Sequence, residues 1–246
     1  MHRGYINYTA DIDGVIFDPF EIDGRHPSVE KIRIEATGEK VKIRFFVKGV
    51  ASPEESHRLT QNMVEEILDR LAFKLNVPVG SAQYSGGSIQ RKAATKNGSK
   101  LVDVHLSDTI HMACSVSAVR KLGPESTENL KKDLEKEELL GTRYFNLFRF
   151  ALQSPDPVTR FLFLYSILLV MCGDNQKKVD KFIQKIDLDV EVTESPHDGK
   201  PETIYTRLRN EVAHCRKNTH PAKTRKEIEG ILSRFIDLVR KAIELG

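Results

Sequence analysis

The stretch Ile32-Arg33-Ile34-Glu35-Ala36-Thr37-Gly38-Glu39-Lys40-Val41-Lys42-Ile43-Arg44-Phe45-Phe46-Val47 alternates apolar and polar or charged residues on both sides of Gly38. A period of two places one face of a strand on a core and the other in water. The Gly-centred break predicts a hairpin turn at Thr37–Lys40. The same rhythm runs upstream through Ile6, Tyr8, Ala10 and Ile12. Downstream, Asn97-Gly98 predicts a second tight hairpin, followed by Val102, Val104 and Leu106 on alternate positions. One helix interrupts the strands. Ser52 can cap it, Pro53 suits its first turn, Glu55 completes a capping box, and Leu59, Met63, Ile67, Leu71 and Leu75 recur every fourth residue. Residues 1–122 therefore read as an α+β domain, a sheet with a helix on one face.

From Pro124 the period becomes helical. Residues 123–142 are acidic and highly charged and read as a linking helix, and residues 143–246 as an all-helical domain. Arg143–Gln153 carries Phe145, Phe148 and Phe150. Asp156-Pro157 opens an apolar helix over Val158–Met171 that stops near Gly173, and Lys177–Ile186 is a shorter helix. Glu191–Pro201 reads as a polar loop. Pro201–Cys215 and Ala222–Leu245 are expected as the two closing helices, the last with Ile228, Ile231, Leu232, Phe235, Val239 and Ile243 at helical spacing.

Composition narrows the possibilities. With 246 residues, 39% hydrophobic and 30% charged, the chain is neither disordered nor collagen-like. Three separated cysteines supply no disulfide framework, which fits a reducing cytoplasm. The first eight residues lack a secretory h-region. The most apolar run, Phe161–Cys172, is about a third shorter than the roughly 18 residues of a membrane span, so a soluble protein is expected. A net charge of +3 is too small for the whole chain to coat a nucleic acid electrostatically.

The chemistry concentrates in Arg207-Leu208-Arg209-Asn210-Glu211-Val212-Ala213-His214. On a helical wheel Ile204, Leu208 and Val212 form a narrow apolar stripe, leaving Arg209, Asn210 and His214 on the polar circumference. Asn210 and His214, four apart, are neighbours, and Arg209 has the reach to join them. A guanidinium offers a planar fork to phosphate oxygens, and an imidazole moves protons near neutral pH. The plain alternative is a solvated helix surface.

Arg209-Asn210-x-x-x-His214 resembles the R-x4-6-H signature of HEPN domains, in an all-helical setting over residues 143–246. Within that superfamily it is most similar to the MauJ-like and Apea-like branch. The resemblance implies a homodimeric, metal-independent endoribonuclease with no cofactor. The 2′-hydroxyl of RNA attacks the adjacent phosphate, His214 acts as acid or base, Arg209 stabilises the pentacoordinate phosphorus, and Asn210 positions the phosphate or the imidazole. It also implies a setting in prokaryotic stress or phage defence, with the N-terminal domain sensing a signal or partner, gripping RNA or restraining the nuclease. Two other readings compete: a non-catalytic nucleotide-binding or dimerisation module, and an adaptor built on the apolar helix.

Charge near the motif agrees with a polyanionic partner. From Lys200 to Gly246 there are eleven Lys/Arg against six Asp/Glu, a net of +5. Arg216, Lys217, His220, Lys223, Arg225 and Lys226 form a candidate phosphate-binding patch just past the motif. Other clusters carry less. Ser85-Gly86-Gly87-Ser88 lacks the Lys-Ser/Thr ending of a P-loop and reads as a turn. Asp11, Asp13, Asp18, Glu21 and Asp23 lack a calcium-loop pattern and read as an inter-strand loop. His105, His111 and Cys114 lack a fourth ligand, so no metal is expected. Cys215 has no partner for nucleophilic chemistry.

Overall fold

The computed structural model describes residues 2–50, 52–95, 98–106, 119–136, 142–196, 199–214 and 219–245. The chain divides into two compact units, residues 1–137 and 138–246. The architecture is α+β: an antiparallel sheet with helices in the first unit and a helical second unit.

The first unit is organised by two 22-residue strands, β1 (His2–Asp23) and β2 (Val29–Val50), paired antiparallel along their length. Strand β3 (Gln83–Thr95) pairs with β1, β4 (Gly98–Leu106) pairs with β3, and the short β5 (Arg120–Lys121) runs parallel to β1. Helix α1 (Pro53–Leu75) and helix α2 (Pro124–Glu135) contribute buried side chains to the same core.

The hairpin expected at Thr37–Lys40 does not exist. Both flanking runs belong to β2, and the real turn between β1 and β2 is at residues 24–28, where Val29 N donates to the His26 carbonyl at 2.8 Å. The sequence break is a phase slip. Buried positions run 32, 34, 36 and then 41, 43, 45, 47, while β1 slips opposite them from 10 and 12 to 15 and 17. An irregularity in the pairing, with Gly38 at φ +101° and Gly14 at φ +61°, absorbs the slip and keeps both runs on the core face. The acidic cluster Asp11–Asp23 is part of β1 rather than a loop. Its residues alternate with buried Ile12, Val15, Phe17 and Ile22, and Asp11 and Glu21 pair across the ladder with Lys40 and Lys31. Ser85–Ser88 is likewise strand, not turn. Gly86 (φ +113°) occupies a register shift against Asn7, and a Cβ on Gly87 would lie 2.6 Å from the Tyr5 carbonyl oxygen.

Helix α1 starts as the capping box predicts, with Ser52 Oγ accepting from Glu55 N at 3.2 Å, and ends at Asn76 in the left-handed region. Its most buried line is Val64, Leu68, Leu71 and Ala72, so the Leu59–Met63 end of the expected stripe lies at the margin. The β3–β4 ladder runs to Thr95 opposite Gly98, as an antiparallel hairpin requires; Asn97 itself lies outside the described residues.

Residues 124–135 are more than a link. Leu130 and Leu134 enter the first unit's core. The carbonyl end of α2 is held by two guanidinium groups: Arg25 Nη2 and the buried Arg70 Nη1 reach the Lys136 carbonyl at 2.7 and 2.6 Å. Donors at a helix C-terminus satisfy the free carbonyls and complement the dipole.

The second unit packs α3 (Thr142–Gln153), α4 (Pro157–Met171), α5 (Gln176–Ile186), α6 (Ile204–His214) and α7 (Pro221–Leu245) around Phe148, Phe161, Tyr165, Leu168, Leu208 and Phe235. Asp156 caps α4, its Oδ2 accepting from Thr159 N at 2.8 Å, and this bond holds its carboxyl down at about 2. Phe145 and Phe148 are buried, whereas Phe150 is 54% exposed and meets Phe163 ring to ring. Among the described residues no single helix is long and apolar enough to cross a membrane. The segment read as loop and helix start contains a ribbon, β6 (Val192–Glu194) against β7 (Pro201–Thr203). Pro201–Thr203 is therefore strand, and α6 begins only at Ile204.

Candidate functional site

Thr203 explains the late start of α6. Its backbone N and hydroxyl both donate to Asp180 Oδ1, at 3.0 and 2.8 Å, which keeps the residue extended. Its Oγ1 accepts from Thr206 N at 3.3 Å, serving as the helix cap. Thr206 Oγ1 lies 2.8 Å from the Tyr165 hydroxyl, tying the first turn of α6 to α4. Burial pushes the Tyr165 phenol up to about 12 and raises the Asp180 carboxyl. The helix is thus oriented by a buried polar knot before the motif begins.

One turn after Thr206 comes Asn210. The wheel placed it on the solvated circumference; the structure buries it, 5% exposed. Tertiary packing of α5 and β7 covers that side of α6. The amide accepts at Oδ1 from Gln176 Nε2 (2.8 Å) and Arg209 Nη1 (3.0 Å), and donates from Nδ2 to Glu202 Oε2 (3.2 Å). Two donors on one side and a carboxylate on the other permit only this orientation. Asn210 thus positions Arg209 rather than presenting itself to solvent.

Arg209 Nη1 also lies 3.0 Å from His214 Nε2. A guanidinium can only donate, so Nε2 is the acceptor in this contact. The structure therefore brings Arg209, Asn210 and His214 together, although Arg209 and His214 leave the helix about 140° apart on the wheel. Arg209 also stands 6.0 Å from the Tyr165 ring centroid. Its neighbour Arg207 points elsewhere, clamping Glu211 and Glu227 to join α6 to α7.

Asn210 and His214 line a cleft of about 440 Å³ between α5, the ribbon and α6. Its wall carries Asp180 and Glu202; Lys177 and Lys200 are exposed along its rim. Among the described residues no group of three His, Cys, Asp or Glu could hold a metal. Strand β4 places His105 opposite Ser88, while His111, Cys114 and Cys215 lie outside the described residues.

The basic patch is not gathered at this cleft. Arg225 is held by Asp156 (2.8 Å) and Glu229 (3.1 Å) and lines a separate cleft with Glu211 and Val212. Lys223 lies 3.8 Å from Glu227, Lys226 is exposed, and exposed His220 gives its carbonyl to Thr224 N at the start of α7. Arg216 and Lys217 lie outside the described residues. Sequence reasoning missed Gln176, Asp180 and Glu202. None has a spacing that marks it, since each acts on α6 from another element.

Residues 144–244 match the family model of methylamine utilization protein MauJ. The C-terminal unit is MauJ-like. The match contains the complete Arg209–His214 cluster and the helices that support it. Curated proteins and solved structures gave no match to the chain.

Proposed function

We propose that the MauJ-like unit is a HEPN-type endoribonuclease site that cleaves RNA without a metal. The observation that carries this reading is the 3.0 Å approach of Arg209 Nη1 to His214 Nε2, an exposed imidazole that also lines a cleft. One group delivers a fixed positive charge, the other a lone pair that accepts a proton, and both address one phosphodiester.

When a phosphate enters, its oxygens compete for the Arg209 guanidinium and free Nε2. His214 then takes the 2′-hydroxyl proton, the 2′-oxygen bonds to phosphorus, and the bond from phosphorus to the 5′-oxygen breaks. The products are a 2′,3′-cyclic phosphate and a 5′-hydroxyl, whose proton comes from a second copy of the site in a homodimer. Arg209 stabilises the added charge on phosphorus, and Asn210 holds Arg209 in place. Exposed Lys223, Lys226 and His220 offer a second basic surface, apart from the cleft, for more distant phosphates, while Arg225 is taken up by Asp156 and Glu229. The protein then works in the cytoplasm, in stress or phage defence, with the N-terminal unit as sensor, RNA grip or restraint.

The test is cleavage of a labelled RNA in EDTA by the full chain. Wild type should cut it, and a single 2′-deoxy substitution should block its site. His214→Ala should lose about 10²–10⁴-fold and Arg209→Ala about 10²–10³-fold. Cleavage that survives both substitutions refutes the assignment. Nucleotide binding without cleavage would favour the non-catalytic module. A strict monomer by light scattering at micromolar concentration would remove the second copy.

A further inference from the structure

The cleft beside Arg209 and His214 is segregated by charge. Asp180 and Glu202, each less than a tenth exposed, line its wall, while Lys177 and Lys200 stand at the rim with His214 at one end. A phosphate placed against that wall would meet two carboxylates, so phosphate belongs outside, at the dyad and the lysines. A neutral group bearing N–H donors belongs inside. At about 440 Å³ the cleft falls within the range of small-ligand sites, roughly 300–1,000 Å³.

We propose that this cleft is a subsite for one nucleobase, entered base first, and that it selects bases with an exocyclic amino group: adenine, cytosine or guanine over uracil. The inference deepens the phosphodiester reading above and rests on it for the placement of the phosphate. The physical basis is the pair of buried carboxylates in the wall, which Ser195, Thr206 and Gln176 also line. Asp180 Oδ1 and Glu202 Oε2 accept from Thr203 and Asn210, so both carboxylates are fixed in direction. Uracil presents two carbonyl oxygens on either side of its one N–H, and either of these placed against a carboxylate sets lone pair against lone pair. An amino group reverses that contact. Sites built around hydrogen-bond complementarity reject the mismatched ligand strongly, because a buried polar group is left unpaired.

The experiment is titration calorimetry of the full chain with the 3′- and 5′-monophosphates of adenosine, cytidine, guanosine and uridine. In at least one series an amino-bearing nucleotide should bind at least ~10-fold more tightly than the uridine nucleotide. Lys177→Trp, a substitution at an exposed rim position that fills the cleft mouth, should abolish binding with an unchanged melting temperature. His214→Ala should weaken all nucleotides while keeping the base preference. Equal binding of uridine in both series, no binding of any nucleotide at millimolar concentration, or full binding by folded Lys177→Trp overturns the inference. The two readings fail separately. Cleavage without base preference sinks the subsite alone, whereas base preference in a protein that never cuts RNA sinks the nuclease alone.

Discussion

Replacing Asn210 by Asp changes one atom type and nothing in shape. The wild-type amide donates from Nδ2 to Glu202 Oε2 at 3.2 Å, in a site where both residues are buried. Asn210→Asp puts a second carboxyl oxygen at that distance. Two like charges there repel by roughly 5 kcal/mol at an effective dielectric near 20. Holding a proton on one of them at pH 7 costs about 4 kcal/mol, three pH units above an ordinary carboxyl value near 4. The new carboxylate also lies against the half-buried Arg209 guanidinium, 3.0 Å from the present Oδ1, and that attraction offsets about half of the repulsion. The remaining ~2–3 kcal/mol raises the folded-state affinity of the carboxyl pair for one proton by about two pH units over the unfolded chain. Stability relative to wild type should therefore fall by about 1.4 kcal/mol per pH unit from pH 4 to about 6 and level off above that. Asn210→Ala, which only deletes the hydrogen bonds, should cost about 1–3 kcal/mol with little pH dependence. The assay is urea unfolding of both variants at pH 5, 6 and 7, following the transition of the C-terminal unit. An Asn210→Asp protein as stable as wild type at pH 7, or one with the flat profile of Asn210→Ala, would show that the amide does not face Glu202 in this orientation.

Three further outcomes follow from the same structure. Gly38→Ala should destabilise the first unit by only about 1–2 kcal/mol, because a Cβ there meets nothing closer than 3.5 Å and the cost is the left-handed backbone at φ +101°. Gly4→Ala should cost about 3 kcal/mol or more in denaturant unfolding, since its Cβ would lie 1.9 Å from the Ser88 carbonyl oxygen of the neighbouring strand. Asp156→Ala should lower the melting temperature of the C-terminal unit by a few degrees. Because the folded carboxyl titrates at about 2 instead of 3.8, that difference should be complete above pH 4 and close as pH falls to 2 in thermal scans.

The helix starts were legible because capping is local: Ser52 with Glu55, and Asp156 with Thr159, satisfy backbone groups three residues away. The alternating runs at 6–12, 32–36 and 41–47 were legible for the same reason, since alternation needs only its own segment, whereas the strand stretches at 13–23 and 85–88 carry no clean alternation. The turn at Thr37–Lys40 was misread because a pairing irregularity and a turn both break the period and both recruit glycine. Only the partner strand distinguishes them, here through the matching slip in β1. The Pro201–Thr203 strand was hidden because its partners, Val192–Glu194 and Asp180, lie on other segments. Asn210 was placed in solvent because a single-helix wheel contains neither α5 nor β7.

On its own, the amino-acid order determined where the capped helices α1 and α4 begin, which positions of the alternating runs are apolar, and that a guanidinium, an amide and an imidazole share one short segment. These depend on interactions within a few residues. Tertiary structure alone decided that Arg207 clamps while Arg209 reaches His214, that Gln176 and Glu202 fix the amide between them, and that carboxylates wall the adjoining cleft. The Arg207–Glu227 pair and the two contacts that fix the Asn210 amide join groups 8 to 34 positions apart, and no local rule records such a meeting.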